Sequence, residues 1–453
     1  MIRRLRSVTR PGPTGARRLF AVVTLALSAC ATARPGLGME ALTGGTVIDV
    51  VSGRTIPQGV ILIRDGHVVA AGSSSDVAVP RGAVVTDVSG RWVIPGLIDA
   101  HVHLQPWALA LSLRWGVTTV RDLHDGLPLA DTLRATAARS PAPRLFQAVA
   151  MLDGLPATYP DAIGIAVLPG ADSAIALVAA HGAGWIKVYT RVTPPLLTGV
   201  VTAAQARRLP VAAHLGLTDA LTAARIGVAS IEHLTGVPEA AGDSTALYAA
   251  HSQGFFIGWT AFERSWTGLD TARLVDVARR LAASGVTLVP TLDLHETFAR
   301  LDDSSVFRSN DLSGVPDSAR ANWNLPGMIK RAGWVREDYP AFRASRLVQD
   351  FFILRFAQAG GRLATGTDAT NQLLVPGAGV HREMELLVRA GLTPLEALRA
   401  ATIRGAELLR ADSLGTLRPG AAADLVVLGG NPLVEIRNSR QIVKVMLGGK
   451  WVR

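Results

Sequence analysis

Pro95-Gly96-Leu97-Ile98-Asp99-Ala100-His101-Val102-His103 is an apolar run that leaves a Pro-Gly turn and ends on two histidines. Its length and composition predict a buried strand. His101 and His103 are two positions apart, so on a strand both imidazoles leave the same face. Two imidazoles on one face suit a metal ion, and a carboxylate from a later strand would complete a divalent site. Further along, short apolar strands alternate with helical stretches. Strands are expected to end near His103, Leu123, Met151, Tyr189, His214, His233, Asp293 and Asp368, with helical patterns at 171–181, 218–226, 271–283 and 342–359. Thr393-Pro394-Leu395-Glu396 opens another helix, with Thr as cap, Pro at the first helical position and Glu closing a capping box. Eight strands with intervening helices predict an α/β chain folded as a (β/α)8 TIM barrel rather than a doubly wound sheet. No GxGxxG loop follows any strand, which also disfavours dinucleotide binding.

Short strands at 45–49, 59–64, 67–71 and 84–88 precede this region, separated by Ser52-Gly53, Asp65-Gly66 and Ser89-Gly90. The C-terminal stretches 424–428, 442–447 and 450–452 repeat the pattern. The expectation is a small β-sandwich domain built from both chain ends, 41–95 plus 412–453, flanking a barrel over 96–411.

Of 453 residues, 49% are hydrophobic and 18% charged, which excludes a disordered polyelectrolyte. The net charge of +10 raises the question of nucleic acid, but Arg3, Arg4, Arg6, Arg10, Arg17 and Arg18 supply six of those units before residue 30. No basic run with interleaved aromatics remains beyond them, so no nucleic-acid partner is expected. Those arginines precede an apolar stretch at 19–29 that is too short to span a bilayer, the pattern of a secretory signal. Leu27-Ser28-Ala29-Cys30 resembles a bacterial lipoprotein box, and Cys30 is the chain's single cysteine. The reading is a signal peptide over 1–29, lipidation at Cys30 and a tether over 30–40. That places the body in the cell envelope, exported and lipid-anchored, on the periplasmic side of a membrane if the cell is Gram-negative. The anchor is its only membrane contact.

In a barrel, chemistry sits at the C-terminal ends of the strands. The polar residues expected there are His101, His103, Lys187, His214, His233 and Asp368. A lone histidine at a strand end is more often structural, but four with an aspartate argue for a site. Lys187 lies inside Gly184-Trp185-Ile186-Lys187-Val188-Tyr189, where an ammonium beside divalent ions would be repelled and poorly solvated. It must be neutral, salt-bridged or converted into an anion. A lysine reaching a carboxylate at the rim competes with a ligand role.

Several segments together resemble the amidohydrolase superfamily: residues 95–103, Gly116-Val117-Thr118-Thr119-Val120-Arg121-Asp122, Ser230-Ile231-Glu232-His233, Gly366-Thr367-Asp368-Ala369 and Ala423-Asp424-Leu425-Val426-Val427-Leu428. The resemblance extends from about residue 41 to the C-terminus. It is nearest the branch of imidazolonepropionase-like proteins and prolidase-like dipeptidases that carry a lysine on the fourth strand. It implies a two-metal site, with a preference for zinc: His101, His103 and Asp368 on one ion, His214 and His233 on the other, and carboxylated Lys187 bridging them together with a hydroxide. Asp368 would act as general base and then general acid in hydrolysis of an amide, peptide or cyclic amide. Relatives often carry His-Ala-His after the fifth strand, whereas this chain has His214-Leu215-Gly216.

Tyr189 shares a strand face with Lys187 and is a candidate for the substrate or the oxyanion, with packing at the mouth as its alternative. His124 and His295 follow strands and could reach substrate, but a supporting or surface role is the favoured reading for both. His381 and Glu385, one helical turn apart, are expected to touch the site or each other. His67, His181 and His251 read as structural. The long stretches 234–285 and 294–362 carry Phe255, Trp259, Phe262, Trp266, Phe298, Phe307, Trp323 and Trp334, which suits either an aromatic lid or core packing. The partner is a small-molecule substrate, and a homo-oligomer is compatible with the sequence. Competing functions are a lactonase or phosphotriesterase on the same site and a non-catalytic envelope binding lipoprotein. Deamination is disfavoured because Leu215-Gly216-Leu217 offers no acid after the fifth strand.

Overall fold

The computed structural model describes residues 38–309 and 311–453. The signal sequence and Cys30 lie outside the described residues, as does the tether up to residue 37. The first strand, Met39–Thr43, begins inside the expected tether and two residues ahead of the expected domain start.

The chain is an α/β protein. Leu97–Val102 pairs in parallel with Val117–Asp122, and that strand with Arg144–Gln147. Seven more strands form a second parallel sheet, in the order Ile163–Ile165, Met151–Gly154, Ile186–Val188, Val211–Ala213, Ser230–Glu232, Thr287–Val289 and Arg362–Leu363. Backbone hydrogen bonds run between the two sheets at both sides. Trp185 N–H donates to Gln147 O, Ala100 N–H to Thr365 O, and Thr367 N–H to His101 O.

Several strands differ from expectation. The strand expected to end near Met151 is two strands, interrupted at 148–150, where Val149 adopts a positive φ of 70°. The strand expected to reach Asp293 stops at Val289, and Asp293 lies in the helix Leu292–Phe298. The last parallel strand is only Arg362–Leu363, but the following residues continue alongside His101 and His103. The helix Pro394–Ala400 carries the expected capping box, with Thr393 Oγ1 accepting from Glu396 N–H.

Two further sheets flank this core. One orders His67–Ser73, Gly59–Arg64, Met39–Thr43 and Val84–Asp87; the other orders Lys450–Trp451, Ile442–Leu447, Leu425–Leu428, Trp92–Pro95, Thr46–Ile48 and Thr55–Ile56. Strands from both chain ends therefore share one sheet. They are not wholly antiparallel, since Met39–Thr43 runs parallel to Val84–Asp87 and Thr46–Ile48 to Trp92–Pro95. Leu425–Leu428 is apolar throughout because both its faces are buried. Leu425 and Val427 pack with Leu42, Ile61 and Val93, whereas Val426 and Leu428 join the main core with Ile94 and Val117.

Arg144 ties the parallel strands to this layer. Its Nε and Nη2 donate to the two oxygens of buried Asp424 at 2.7 and 3.0 Å, and Gly448 N–H donates to the same carboxylate. In an Arg144→Met variant Asp424 keeps its burial but loses its cation. The urea midpoint is expected to fall by an amount equivalent to roughly 1–3 kcal/mol. An unchanged midpoint would show that this pair does not hold the layers together.

Candidate functional site

The strand ends deliver their histidines to one place. The His101 ring lies 5.2 Å from that of His103 and 4.4 Å from that of His233, and the His233 ring lies 4.6 Å from that of His214. Asp368 reaches the same point. Its Oδ1 is 3.2 Å from His101 Nε2 and 3.1 Å from His103 Nε2. Ligand atoms of His101, His233 and Asp368 all lie within 4.8 Å of one another. The tight set thus places His233 with His101 and Asp368, while His214 adjoins through His233.

The other nitrogen of each imidazole determines what faces the centre. His101 Nδ1 meets Glu232 Oε2 at 2.7 Å, His103 Nδ1 meets the carbonyl of His124 at 3.1 Å, and His233 Nδ1 meets Thr291 Oγ1 at 2.7 Å. At His101 the partner is an acceptor and the ring is neutral, so Nδ1 carries the proton and Nε2 presents a lone pair; at His103 Nδ1 likewise donates, and against burial the Asp368 carboxylate raises the imidazole above its ordinary value. The lone pair of His101 Nε2 therefore faces a carboxylate oxygen, and His101 Nε2 is a buried atom without a hydrogen-bond partner. Such a set is repulsive unless a cation sits among its members. Burial lowers the pKa of His101 and holds those of His214 and His233 well below the ordinary value, so these rings are neutral, the form that binds metal.

Glu232 is held in turn by Arg121, whose Nη2 donates to Oε1 at 2.9 Å. The same guanidinium donates to Ala100 O and Ser230 Oγ and lies 4.4 Å above the Trp185 ring. Burial alone would raise the Glu232 carboxyl, but Arg121 and His101 hold it at about 2. Asp368 is gripped on its other oxygen by Asn371 Nδ2 at 2.6 Å. Asp99, two residues before His101, accepts from Thr367 Oγ1 at 2.7 Å and so links the strand of His101 to the segment carrying Asp368. His233, Thr291 and Asp368 all adopt positive φ, at 57°, 48° and 60°. Non-glycine residues pay strain for that conformation and keep it where surrounding bonds over-determine it.

Lys187 lies in the cavity wall beside these groups, and its Nζ is buried without a hydrogen-bond partner. Burial pushes its pKa down to about 8. Two glycines allow the close packing. A Cβ on Gly366 would sit 2.7 Å from the Cβ of His101, and one on Gly216 would sit 2.5 Å from the carbonyl of Thr190. The position where relatives often carry a second imidazole therefore has no room for a side chain in this chain.

The centre opens into a cavity of about 440 Å³. Tyr159, Tyr189, Phe255, Phe256, Trp259 and Phe298 form its apolar walls. Phe255, Trp259 and Phe298 come from the aromatic stretches anticipated in the sequence, whereas Phe262 and Trp266 are core residues and Phe307 is exposed. The Tyr189 ring is tilted against that of His214 at 4.6 Å and lies 5.6 Å from that of Tyr159. Burial raises its phenol well above the ordinary value, so it remains a donor. His124 also lines the cavity, with Nε2 3.1 Å from Asp161 Oδ2 and Nδ1 accepting from Met151 N–H.

His381 is a correction. It is buried away from the cavity, with Nδ1 at Ser439 Oγ and Nε2 at Trp115 O, both at 2.9 Å. Glu385 turns to Arg440 instead, at 2.6 Å. The helix Ala378–Arg389 directs this face toward the 436–440 segment, so the pair serves packing between layers rather than substrate. His295 lies behind the site, its ring stacked on Trp259 with Nε2 at the carbonyl of His233 and Nδ1 at Glu263. Sequence reasoning assigned no role to Arg121, Glu232 or Asn371. The first two carried a signal of the same kind as Lys187, namely charged residues of opposite sign inside apolar strands.

Residues 92–452 match the model of the Amidohydrolase family. The chain is 27% identical over 447 residues to the imidazolonepropionase of Deinococcus radiodurans, covering 93% of this chain and 97% of that protein. Among solved structures, a Xaa-Pro dipeptidase with bound methionine is similar at a TM-score of 0.66 and 20% identity, covering 91% of this chain and 99% of that one. A bottromycin amidohydrolase is similar at a TM-score of 0.68 and 23% identity, covering 91% and 86%. At these identities the structural likeness speaks for the fold alone.

His381 supplies a test of the packing role. Burial, with Arg440 nearby, depresses its imidazole from 6.5 to about 3. Between these values the unfolded chain takes up a proton that the folded chain refuses, so the contribution is full above about pH 6.5 and is lost as pH falls toward 3. A His381→Gln variant is expected to show a smaller loss of urea midpoint between pH 7 and 4.5 than the parent. Parallel curves would contradict a buried neutral imidazole.

Proposed function

The chain belongs to the amidohydrolase family and is a hydrolase acting on carbon–nitrogen bonds; on that premise we propose that it hydrolyses an amide, peptide or cyclic amide at a two-metal centre. The observation that carries this reading is the convergence of His101 Nε2, His103 Nε2 and Asp368 Oδ1, beside the unpartnered amine of Lys187. His101, His103 and Asp368 would hold one divalent ion and His214 and His233 the other, zinc being suited to imidazole and carboxylate donors. Lys187, whose amine pKa burial lowers to about 8, would add CO2 on its neutral form with loss of a proton and so supply an anionic ligand to the ions. When bound, such ions supply Lewis acidity toward the scissile carbonyl and lower the pKa of the attacking water.

The chain's own groups do the rest. Asp368, held by Asn371, takes the proton of the attacking water and delivers it to the leaving nitrogen, so the products are a carboxylate and an amine. Tyr189 presents its phenol to the carbonyl oxygen. The aromatic walls exclude water and suit an apolar substituent. Glu232 and Arg121 fix the ring of His101 and its tautomer.

We further propose the architecture that suits this chemistry, with the two parallel sheets forming one (β/α)8 barrel over 96–411. The flanking sheets form a β-sandwich from 41–95 and 412–453. Export and lipid anchoring through Cys30 would place the enzyme in the cell envelope.

Metal analysis of purified protein is expected to find about two ions per chain. Asp368→Asn is expected to lower kcat on an N-acyl amino acid or dipeptide by roughly 10²–10⁴-fold. Lys187→Ala is expected to lose metal as well as activity. Full metal content and activity in Lys187→Ala would remove the carboxylated lysine, and absence of metal affinity in the parent would remove the centre itself.

A further inference from the structure

We propose that Glu383 sets the tautomer and aim of His233 from a neighbouring helix, by capping Leu292–Phe298 in place of Thr291. It is a positioning residue for the metal centre, so the inference rests on the hydrolase reading above and deepens it.

His233 is held at two points by one short helix. Thr291 Oγ1 meets its Nδ1 at 2.7 Å, and His295 Nε2 donates to its carbonyl at 3.1 Å. Thr291 stands at the N-cap of Leu292–Phe298 and His295 one turn further on, so a shift of that helix moves both contacts together. A threonine at this position ordinarily has extended backbone and accepts from N–H groups of the first turn. Thr291 does neither. Its φ is 48°, and its side chain makes no capping bond, because the hydroxyl is turned to His233. The first turn therefore lacks a local acceptor, and it lies in the buried interior, where unanswered N–H groups are costly.

Glu383 supplies the acceptor. It is fully buried on the helix Ala378–Arg389, and its Oε2 accepts from Asp293 N–H at 2.9 Å. Its Oε1 has no partner, and burial pushes the carboxyl up to about 8. An acid in such a place costs stability by itself, and the cap is the contact it makes in return. Gly379, one turn earlier on the same face, lets the two helices meet closely. A Cβ there would sit 2.8 Å from Thr367 Cγ2 and 3.3 Å from Asp293 Oδ2.

The consequence lies at the imidazole. When Nε2 serves a metal ion, Nδ1 carries the proton and needs an acceptor behind it. Glu232 gives His101 a carboxylate and His124 gives His103 a carbonyl, both acceptors only. Thr291 gives His233 a hydroxyl, which can donate or accept and which also competes for its own helix. Were Thr291 to cap that helix, Oγ1 would leave Nδ1. Glu383 removes the competition, so the aim of His233 depends on a carboxylate two contacts away.

The full chain, labelled in its histidine ring nitrogens, is recorded metal-free by long-range proton–nitrogen NMR, with His233→Gln identifying the resonances. The parent is expected to show His233 with its proton on Nδ1. Glu383→Leu and Thr291→Val are each expected to lose that single tautomer, whereas Glu383→Gln, which keeps an acceptor oxygen, retains it. Zinc affinity, read by competition with a chromophoric chelator, is expected to fall roughly 10–100-fold in Glu383→Leu and in Thr291→Val, and to stay within about threefold in Glu383→Gln. Because both residues act through one contact, the double variant is expected to lose little beyond the weaker single variant. If Glu383→Leu does not fold, Glu383→Asp keeps the charge and withdraws the oxygen by one methylene. A mixed tautomer and an intermediate zinc affinity are then expected. A folded variant at Glu383, Leu or Asp, that keeps the parent tautomer overturns the proposal. So does one that keeps the parent affinity in a chain that binds zinc, and so does additive loss in the double variant. A parent that binds no zinc, with the tautomer still lost in Glu383→Leu, keeps the positioning role while the metal centre and the hydrolase reading fail.

Discussion

A buried lone pair aimed at a buried carboxylate is an electrostatic liability. Neutral His101 spends its ring proton on Glu232 behind it, leaving Nε2 and an oxygen of Asp368 face to face at 3.2 Å, with His103 Nε2 at 3.1 Å from the same oxygen. In a buried, low-dielectric pocket this arrangement is costly without a positive charge between its members. Much of the surrounding structure serves to keep it. Glu232 and Arg121 lock one imidazole, the carbonyl of His124 locks another, and Asn371 holds the far oxygen of the carboxylate. Positive φ at His233, Thr291 and Asp368 is part of the same investment, since strained backbone aims these groups at a common centre.

The fold provides for this through register. Parallel strands with short, apolar bodies place their last residues at one end of the sheet, and helices cover the faces. Lys187, His214 and His233 follow one another on adjacent strands, with Lys187 paired to Ala212 in register and Ala213 to Ile231. The layer built from both chain ends is pinned to the three-stranded parallel sheet by Arg144 on Asp424, and to the main core by a strand buried on both faces. The helical segments after the later strands supply walls and rim of the cavity at the other end.

Much of the centre was legible because its histidines obey simple periodicity. Two histidines at a spacing of two on an apolar strand must share a face, and polar residues at successive strand ends must meet if the strands are parallel. The capping box at Thr393 was legible for the same local reason. What escaped depends on tertiary placement. His381 and Glu385 have the spacing of one helical turn, but spacing cannot say which face the helix presents, and that face points at Ser439 and Arg440. Arg121 and Glu232 stood in plain view as opposite charges in apolar strands, and pairing them needed the knowledge that their strands face each other across the core.

Anomalous diffraction from crystals of the zinc-loaded chain, recorded on both sides of the zinc edge, tests the central idea most directly. The account requires a strong anomalous peak bonded to His101 Nε2, His103 Nε2 and Asp368 Oδ1 at about 2.0–2.2 Å, with the Nδ1 bonds to Glu232 and the His124 carbonyl retained. Zinc found only elsewhere on the chain, with these three groups drawn apart or bridged by a proton alone, would contradict it.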